Sequence, residues 1–312
     1  MISGEQAGKT KGKMRAQKRH ELIFLTCILA LPVIQWCIFW LYVNVSSISL
    51  AFKDLRTDAW TLSNFSAFWE SLTAPYGEIG IALKNTLIYF STTLFIISPL
   101  SMLIAYFLYK QILFYKGFRI IFYLPAIISS VAMVASYTAF IDPRGPLGNI
   151  AEWLGLSLPP EGLLAREGSA TTMIVIYTVW TGFCTNVLLF SGAMTRIPVE
   201  ILESARLEGC GAARELVQLI FPLIWPTVST LIVVTFTGIF STSGPILLFT
   251  NGEHKTTTIA FWIFKQVYGS GAIGGTGSYN LVSCAGLCLT LVGMPIILFV
   301  RWLMDKVPTV EY

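Results

Sequence analysis

The chain has 312 residues and a formal net charge of +4, and 54% of its residues are hydrophobic whereas only 12% are charged. Soluble domains carry about twice that fraction of charged residues, so the composition excludes a soluble enzyme or a soluble binding module. The mean hydropathy of +0.69 favours a chain that lies mostly within a membrane.

Long apolar stretches recur along the chain. A helix that crosses the bilayer needs about 20 apolar residues because the hydrocarbon core is about 30 Å thick. Six stretches meet this requirement, and none has a charged residue or a histidine in its central part: 22–44, 82–108, 118–140, 171–194, 223–249 and 281–303. We therefore expect an all-α transmembrane fold, with one six-span domain over 21–306 between a basic tail (1–20) and a short tail (307–312).

The first apolar stretch follows a tail rich in lysine and arginine. A secretory signal peptide is the alternative, but its apolar core is about 7–15 residues long and this stretch is longer. We interpret it as an uncleaved first span. A basic tail of this kind is typical of the cytoplasmic membrane surface, so we expect membrane lipid and not nucleic acid as its partner.

Lysine and arginine also predict the orientation of the spans. With both termini in the cytoplasm, the inner segments hold twice as many of these residues as the outer segments. This bias is the one that sets topology in multi-pass membrane proteins. It places segment 196–222, between the fourth and fifth stretches, in the cytoplasm.

Segment 196–222 is polar and patterned, unlike its apolar flanks. Pro198 suits the start of a helix, and acidic side chains at positions 200 and 203 suit its positive N-terminal end. At 100° per residue, one arc collects Pro198, Ile201, Leu202 and Ala205, which we expect to pack under the spans. The opposite arc collects Glu200, Glu203, Ser204 and the apolar Leu207. On the helical pattern alone, a generic amphipathic helix lying on the membrane surface is an equally good interpretation.

The spacing within this segment carries a family resemblance. Glu203-Ser204-Ala205 is followed after three residues by Gly209, and after twelve more by Pro222. The pattern resembles the cytoplasmic loop by which permease subunits of bacterial ABC importers grip their ATPase subunits. Ser204 departs mildly from the family form, which has alanine there.

Weaker motifs extend the resemblance over most of the chain. They are Asn85-Thr86, Leu124-Pro125, Asp142-Pro143 and the segment 248–258. Together they are similar to the maltose-type, carbohydrate-importing group, and to the first permease of its pair. In segment 248–258, Glu253-His254 stands where the family has Gly-Pro, which puts the contacts of that loop in question.

The resemblance implies a type I importer permease with a coupling helix between spans four and five. It implies a second permease as heterodimeric partner, two ATP-binding subunits and an extracytoplasmic solute-binding protein, in a bacterial plasma membrane. It also implies a set of ATPase-coupling residues: Glu200, Glu203, Ser204, Ala205, Leu207, Gly209 and Pro222.

No nucleotide site in this chain competes with that interpretation. Segment 4–10 looks like a phosphate-binding loop, but it has three residues between its glycines where the motif needs four. We therefore expect ATP and magnesium on the partner subunits, and no cofactor in this chain. The six cysteines lack metal-like spacing, so we expect neither a metal site nor a catalytic residue.

Neutral polar and aromatic side chains in spans four and five suggest the solute. Hydroxyl, amide and ring groups suit a sugar, and the uncharged spans disfavour a strongly ionic solute or ion coupling. The candidate path residues are Trp180, Asn186, Thr237, Ser241 and Thr242, although small polar residues also serve as helix–helix contacts in lipid. The alternatives are a permease for a peptide or polyol, an ion-coupled transporter or channel, and a membrane-embedded enzyme.

Overall fold

The computed structural model describes residues 21–54, 57–74, 77–269 and 278–308. The basic tail 1–20, with its glycine-rich segment 4–10, lies outside these described residues, as do residues 309–312. Within them the chain is almost entirely helical, and its only described β-bridge joins Lys53 and Trp60.

Thirteen α-helical segments follow one another in the described part of the chain. In chain order they are α1 Glu21–Ala51, α2 Ser63–Thr73, α3 Glu78–Tyr109, α4 Tyr115–Ile127, α5 Ser130–Ile141, α6 Pro146–Trp153, α7 Ser169–Met194, α8 Val199–Leu207, α9 Ala212–Leu223, α10 Trp225–Thr237, α11 Ile246–Phe249, α12 Ile259–Tyr268 and α13 Ser278–Asp305.

Four of these helices are long and apolar enough to cross a membrane, namely α1, α3, α7 and α13. Two further spans exist only if each of two bent pairs of helices is counted as one. The first pair runs from Tyr115 to Trp153 with a bend of 108°, and the second pairs α9 with α10 at 74°. The predicted third and fifth spans are therefore broken helices, and counting each bent pair as one span gives the six that the sequence predicts.

Proline and local backbone geometry account for both breaks. Pro125 removes a backbone donor from the last turn of α4, and Ile128 and Ser129 are then extended, with ψ of 144° and 133°. In the second pair, Ile224 leaves the helical region at φ −93° and ψ 7°. Pro226 then occupies the first turn of α10, where a missing N–H is tolerated.

The predicted fifth span also ends too late. It was expected to run to residue 249, but α10 ends at Thr237. A non-helical stretch follows, in which Gly244 has φ +56°, and it leads into the short helix α11 after Pro245. Ser241 and Thr242 consequently lie in this non-helical stretch, beyond the end of α10.

A single apolar core joins the membrane helices to segment 196–222. Helix α3 packs against α7 along its second half. Phe190 and Met194 of α7 share a buried cluster with Ile197, Leu202 and, from the start of α9, Leu216. The polar segment is therefore built into the base of the helical bundle. The first part of α1 stands apart from that bundle, because none of its most apolar 18-residue window is buried, whereas its last turns (43–51) pack against α13.

Candidate functional site

Helix α8 has one buried face and one exposed face. Leu202 is only 4% exposed, and Pro198, Ile201 and Ala205 on the same arc are partly buried. These contacts attach α8 to the ends of α7 and α9. The arc deduced from the sequence as the packing face is the face that the structure buries.

The opposite face of α8 is open. Glu200, Glu203 and Ser204 are exposed, and Leu207 at the last turn is 91% exposed. Within the described residues, neither carboxylate has an ion-pair partner. The surface therefore combines one uncovered leucine with two uncompensated negative charges.

Gly209 ends α8 in a Schellman motif. Its φ is +78°, in the left-handed region that glycine tolerates without strain. The N–H of Gly209 donates to the carbonyl of Arg206, and the N–H of Cys210 donates to the carbonyl of Ala205, each at 3.0 Å. This double closure gives the glycine of the sequence pattern a physical role, because it turns the chain from α8 towards α9.

The return path to the bundle is fixed by a contact that the sequence did not predict. Glu215 near the start of α9 is 3% exposed, and its Oε2 lies 2.7 Å from Nζ of Lys110, just beyond α3. Tyr106 donates its hydroxyl proton to the carbonyl of Ala212 at 3.0 Å. The only sequence signal was an acidic residue at the head of the mostly apolar run from 215 to 223. Pro222 begins the last turn of α9.

The path residues predicted in span five occupy the end of α10 and the turn that follows. Thr237 and Thr242 donate their hydroxyl protons to the carbonyls of Val233 and Gly238, at 2.9 and 3.1 Å. Ser241 is exposed in the same turn. Asn186 is partly buried on α7, six residues beyond Trp180 and on a different side of that helix. The five residues therefore do not share one surface.

Trp180 belongs to an aromatic cluster that sequence reasoning identified only in part. Its ring centre lies 6.2 Å from that of Tyr177 and 6.4 Å from that of Tyr137 on α5. Phe249 at the end of α11 completes the cluster, 5.0 Å from Tyr177. Trp180 is 43% exposed, so this cluster presents one open ring face. Tyr137 and Phe249 were missed because their positions depend on the fold of three separate segments.

A loop between α11 and α12 is held against the head of α3. Nδ2 of Asn85 donates to the carbonyls of Lys255 and Thr257, at 2.7 and 2.8 Å. Oγ1 of Thr86 accepts the N–H of Ile259 at 3.0 Å. Glu253 of the same loop lines a cavity of about 530 Å³ together with Asp142, Glu161 and Leu163. The Asn-Thr pair noted in the sequence therefore anchors this loop.

Metal-ligating side chains do not converge in the part of the chain that the structure describes. No group of three or more histidine, cysteine or acidic side chains there is placed to hold an ion. Cys184 and Cys284 are buried in the bundle, whereas Cys27 and Cys37 are exposed on α1.

The sequence matches one protein family over nearly its whole length. Residues 22–308 match the model described as "Binding-protein-dependent transport system inner membrane component". A match over this much of the chain covers α1 to α13, including both bent pairs.

Curated relatives are individually distant. The chain is 24% identical to an arabinooligosaccharides transport system permease protein of Bacillus subtilis, over 67% of this chain and 66% of that protein. It is 27% identical to a lactose transport system permease protein of Rhizobium radiobacter, over 60% and 64%. It is 26% identical to an sn-glycerol-3-phosphate transport system permease protein of Yersinia pseudotuberculosis, over 43% and 45%. Each alignment spans less than two thirds of the relative.

Solved structures share the fold. A chain from a bacterial ABC transporter involved in the import of the acidic polysaccharide alginate superposes with a TM-score of 0.78 at 22% identity, covering 95% of this chain and all of that one. A chain from the alginate transporter in complex with an alginate pentasaccharide-bound periplasmic protein gives 0.75 at 23% identity, covering 92% and 96%.

Proposed function

This chain belongs to the family of inner membrane components of binding-protein-dependent transport systems, and from that premise we propose that it is a permease subunit of an ATP-driven importer of a sugar or oligosaccharide. The family is one of transport components and not of enzymes. The observation that carries the proposal is the exposed surface of α8, where Leu207 projects beside Glu200 and Glu203.

The surface of α8 has the chemistry of a docking site for a separate subunit. Full burial of an exposed leucine side chain is favourable by about 1.5–3 kcal/mol of free energy. Binding of Leu207 in an apolar cleft on a partner is therefore favourable. The carboxylates of Glu200 and Glu203 would face basic groups at the rim of that cleft. We assign this partner as an ATP-binding subunit, two of which would supply the ATP and magnesium.

Continuity of packing explains how a force on α8 would reach the spans. Leu202 of α8 lies in one buried cluster with Phe190 and Met194 of α7 and with Leu216 of α9. Because close-packed interiors transmit displacement, movement of α8 would shift α7 directly and α10 through α9. This supports a switch between inward-facing and outward-facing states driven by closure of the ATPase pair.

A neutral carbohydrate fits the chemistry of the open aromatic face. The open ring of Trp180 offers a face on which a sugar ring stacks. Asn186 and Ser241 offer an amide and a hydroxyl on other surfaces, whereas Thr237 and Thr242 already donate their hydroxyl protons to backbone carbonyls. Two of the relatives are permeases for arabinooligosaccharides and lactose, which supports the same solute class. The relative for sn-glycerol-3-phosphate makes a phosphorylated polyol the second candidate.

The family and the charge distribution support a proposal for the rest of the assembly. We propose a heterodimer with a second permease and delivery of solute by an extracytoplasmic binding protein, the kind of protein bound in one of the similar structures. The excess of lysine and arginine supports cytoplasmic termini and a cytoplasmic α8.

An uptake panel tests the proposed function. Cells that carry or lack this gene would be given labelled arabinooligosaccharide, lactose, alginate oligosaccharide and glycerol-3-phosphate. Loss of saccharide uptake on deletion is expected, whereas loss of glycerol-3-phosphate uptake alone would establish the second candidate. In the purified complex, Glu203→Lys combined with Leu207→Asp should abolish stimulation of ATPase activity by loaded binding protein. Normal stimulation in that variant would refute the role of α8.

A further inference from the structure

A buried polar contact ties segment 196–222 to the end of α3. Nζ of Lys110 lies 2.7 Å from Oε2 of Glu215, and the two side chains are 20% and 3% exposed. One turn earlier on α3, Tyr106 donates to the carbonyl of Ala212 at 3.0 Å, and the Lys110 ammonium lies 5.6 Å from the centre of the Tyr106 ring. We call these four residues the α3–α9 clasp.

The clasp follows directly after the connection between α8 and α9, which carries little side-chain packing. Between α8 and α9, a Cβ added at Gly209 or at Gly211 would meet no atom within 4 Å. Gly209 has φ +78°. Because glycine has no side chain, neither residue makes side-chain contacts. The backbone closure at Gly209 fixes the end of α8, and the clasp fixes the chain immediately after this connection.

Ionic contacts specify register in a way that apolar contacts do not. Burial of apolar area between α3 and α7 is non-directional, so it specifies the relative position of the two helices less strictly than a charged contact does. A buried ion pair has one favourable geometry, and breaking it leaves a charge uncompensated in a medium of low dielectric. Lys110 and Glu215 therefore favour one position of α3 relative to α9.

We propose that the α3–α9 clasp makes the second span move with segment 196–222, so that Lys110 and Glu215 are positioning residues for energy coupling. This inference rests on the proposed function, since it assumes that force arrives at α8. Force on α8 passes to α7 through the short connection 195–198 and to α9 through Gly209–Gly211. The clasp adds α3 to the same moving unit, which then contains spans two, four and five.

The proposal is tested on the complex purified from its own host through an affinity tag on this chain. Proteoliposomes report the amount of labelled oligosaccharide, identified by the uptake panel, that is imported per ATP hydrolysed. Glu215→Gln keeps the size of the side chain and removes its charge. We expect the import-to-hydrolysis ratio to fall about fivefold, within the range of coupling changes that single positions produce, while the ATPase subunits co-purify in normal amounts.

Rescue separates positioning from simple structural support. The exchanged pair Lys110→Glu with Glu215→Lys restores opposite charges and should recover at least half of the lost ratio. As a matched control, Lys53→Gln with Asp58→Asn removes an ion pair outside the clasp whose aspartate is 80% exposed, and it should leave the ratio unchanged. An unchanged ratio in Glu215→Gln, or a fall that the exchange leaves uncorrected, would overturn the proposal.

Two readouts remain decisive if Glu215→Gln does not assemble. Tyr106→Phe removes only the hydroxyl and should lower the ratio about twofold, in line with loss of one hydrogen bond. Hydrogen exchange of amides 210–216 should become about tenfold faster in either variant, because local opening then costs less. Unchanged exchange and an unchanged ratio in Tyr106→Phe would refute the clasp. If the wild type imports no saccharide, the proposed function fails, and the exchange measurement still tests the clasp alone.

Discussion

The amide of Cys210 donates to the carbonyl of Ala205 at 3.0 Å, and this closure depends on Gly209 between them. The left-handed φ of +78° at Gly209 brings the two groups together. The two constant small residues of the sequence pattern, at positions 205 and 209, are thus joined by one capping motif. It fixes where α8 ends and how its last turn, with Leu207, is presented.

Gly209→Ala is expected to disturb this presentation through the backbone alone. An alanine in the left-handed region costs about 1–2 kcal/mol, and no neighbouring atom obstructs its methyl group. The expected result is a lower affinity for the ATP-binding subunits, measured by dissociation of the detergent-solubilised complex.

Gly211→Ala is the matched control for that experiment. Gly211 also has open surroundings, but its φ of −75° is ordinary for any residue. Equal effects of the two substitutions would contradict the capping explanation.

Asn85→Asp tests the anchoring of the loop between α11 and α12. The substitution removes the amide protons that reach the carbonyls of Lys255 and Thr257 and places a carboxylate oxygen against them. Loss of hydrogen bonds by buried groups costs about 1–3 kcal/mol, so hydrogen exchange of amides 251–258 should accelerate strongly. Asn149→Asp, at an exposed position on α6, should leave that exchange unchanged.

Trp180→Ala tests the open face of the aromatic cluster. Removal of the ring should raise the KM for saccharide import about tenfold, the order of effect expected from loss of one stacking contact. Trp180→Phe keeps a ring and should retain most of the affinity.

Trp153→Ala is the control for Trp180. Trp153 is 85% exposed at the end of α6, outside the ring contacts of Tyr137 and Tyr177. A KM that is unaffected by Trp180→Ala would remove the cluster from the solute path.

Cysteine labelling tests the orientation deduced from charge. In a variant without the six native cysteines, Ser204→Cys should react with a membrane-impermeant maleimide only after permeabilisation, because we place α8 in the cytoplasm. Trp153→Cys should react in intact cells. The reversed pattern would invert the topology.

The helix and the cap of segment 196–222 could be predicted because they depend on residues close together in the sequence. The arc of Leu202 and the exposure of Leu207 follow from helical periodicity within nine residues, and Gly209 follows from capping. Long apolar runs likewise predicted α1, α3, α7 and α13.

The features that the sequence did not predict depend on contacts between residues far apart in the chain, or on small energy differences between backbone conformations. Glu215 finds its partner Lys110 from 105 positions away, and no periodic pattern encodes that pairing. The break at Ile224 reflects the choice between continuing a helix through Pro226 and starting a new one there, which tertiary packing decides. Tyr137 and Phe249 join Tyr177 only after α5, α7 and α11 have assembled.

Photo-cross-linking from position 207 tests the central claim most directly. A benzophenone amino acid would replace Leu207 in the intact complex within its membrane, with Ser63, an exposed residue at the start of α2, as a comparison position. We predict an adduct between position 207 and an ATP-binding subunit, and none with that subunit from position 63. An adduct of position 207 with the extracytoplasmic binding protein, or with lipid alone, would contradict the account.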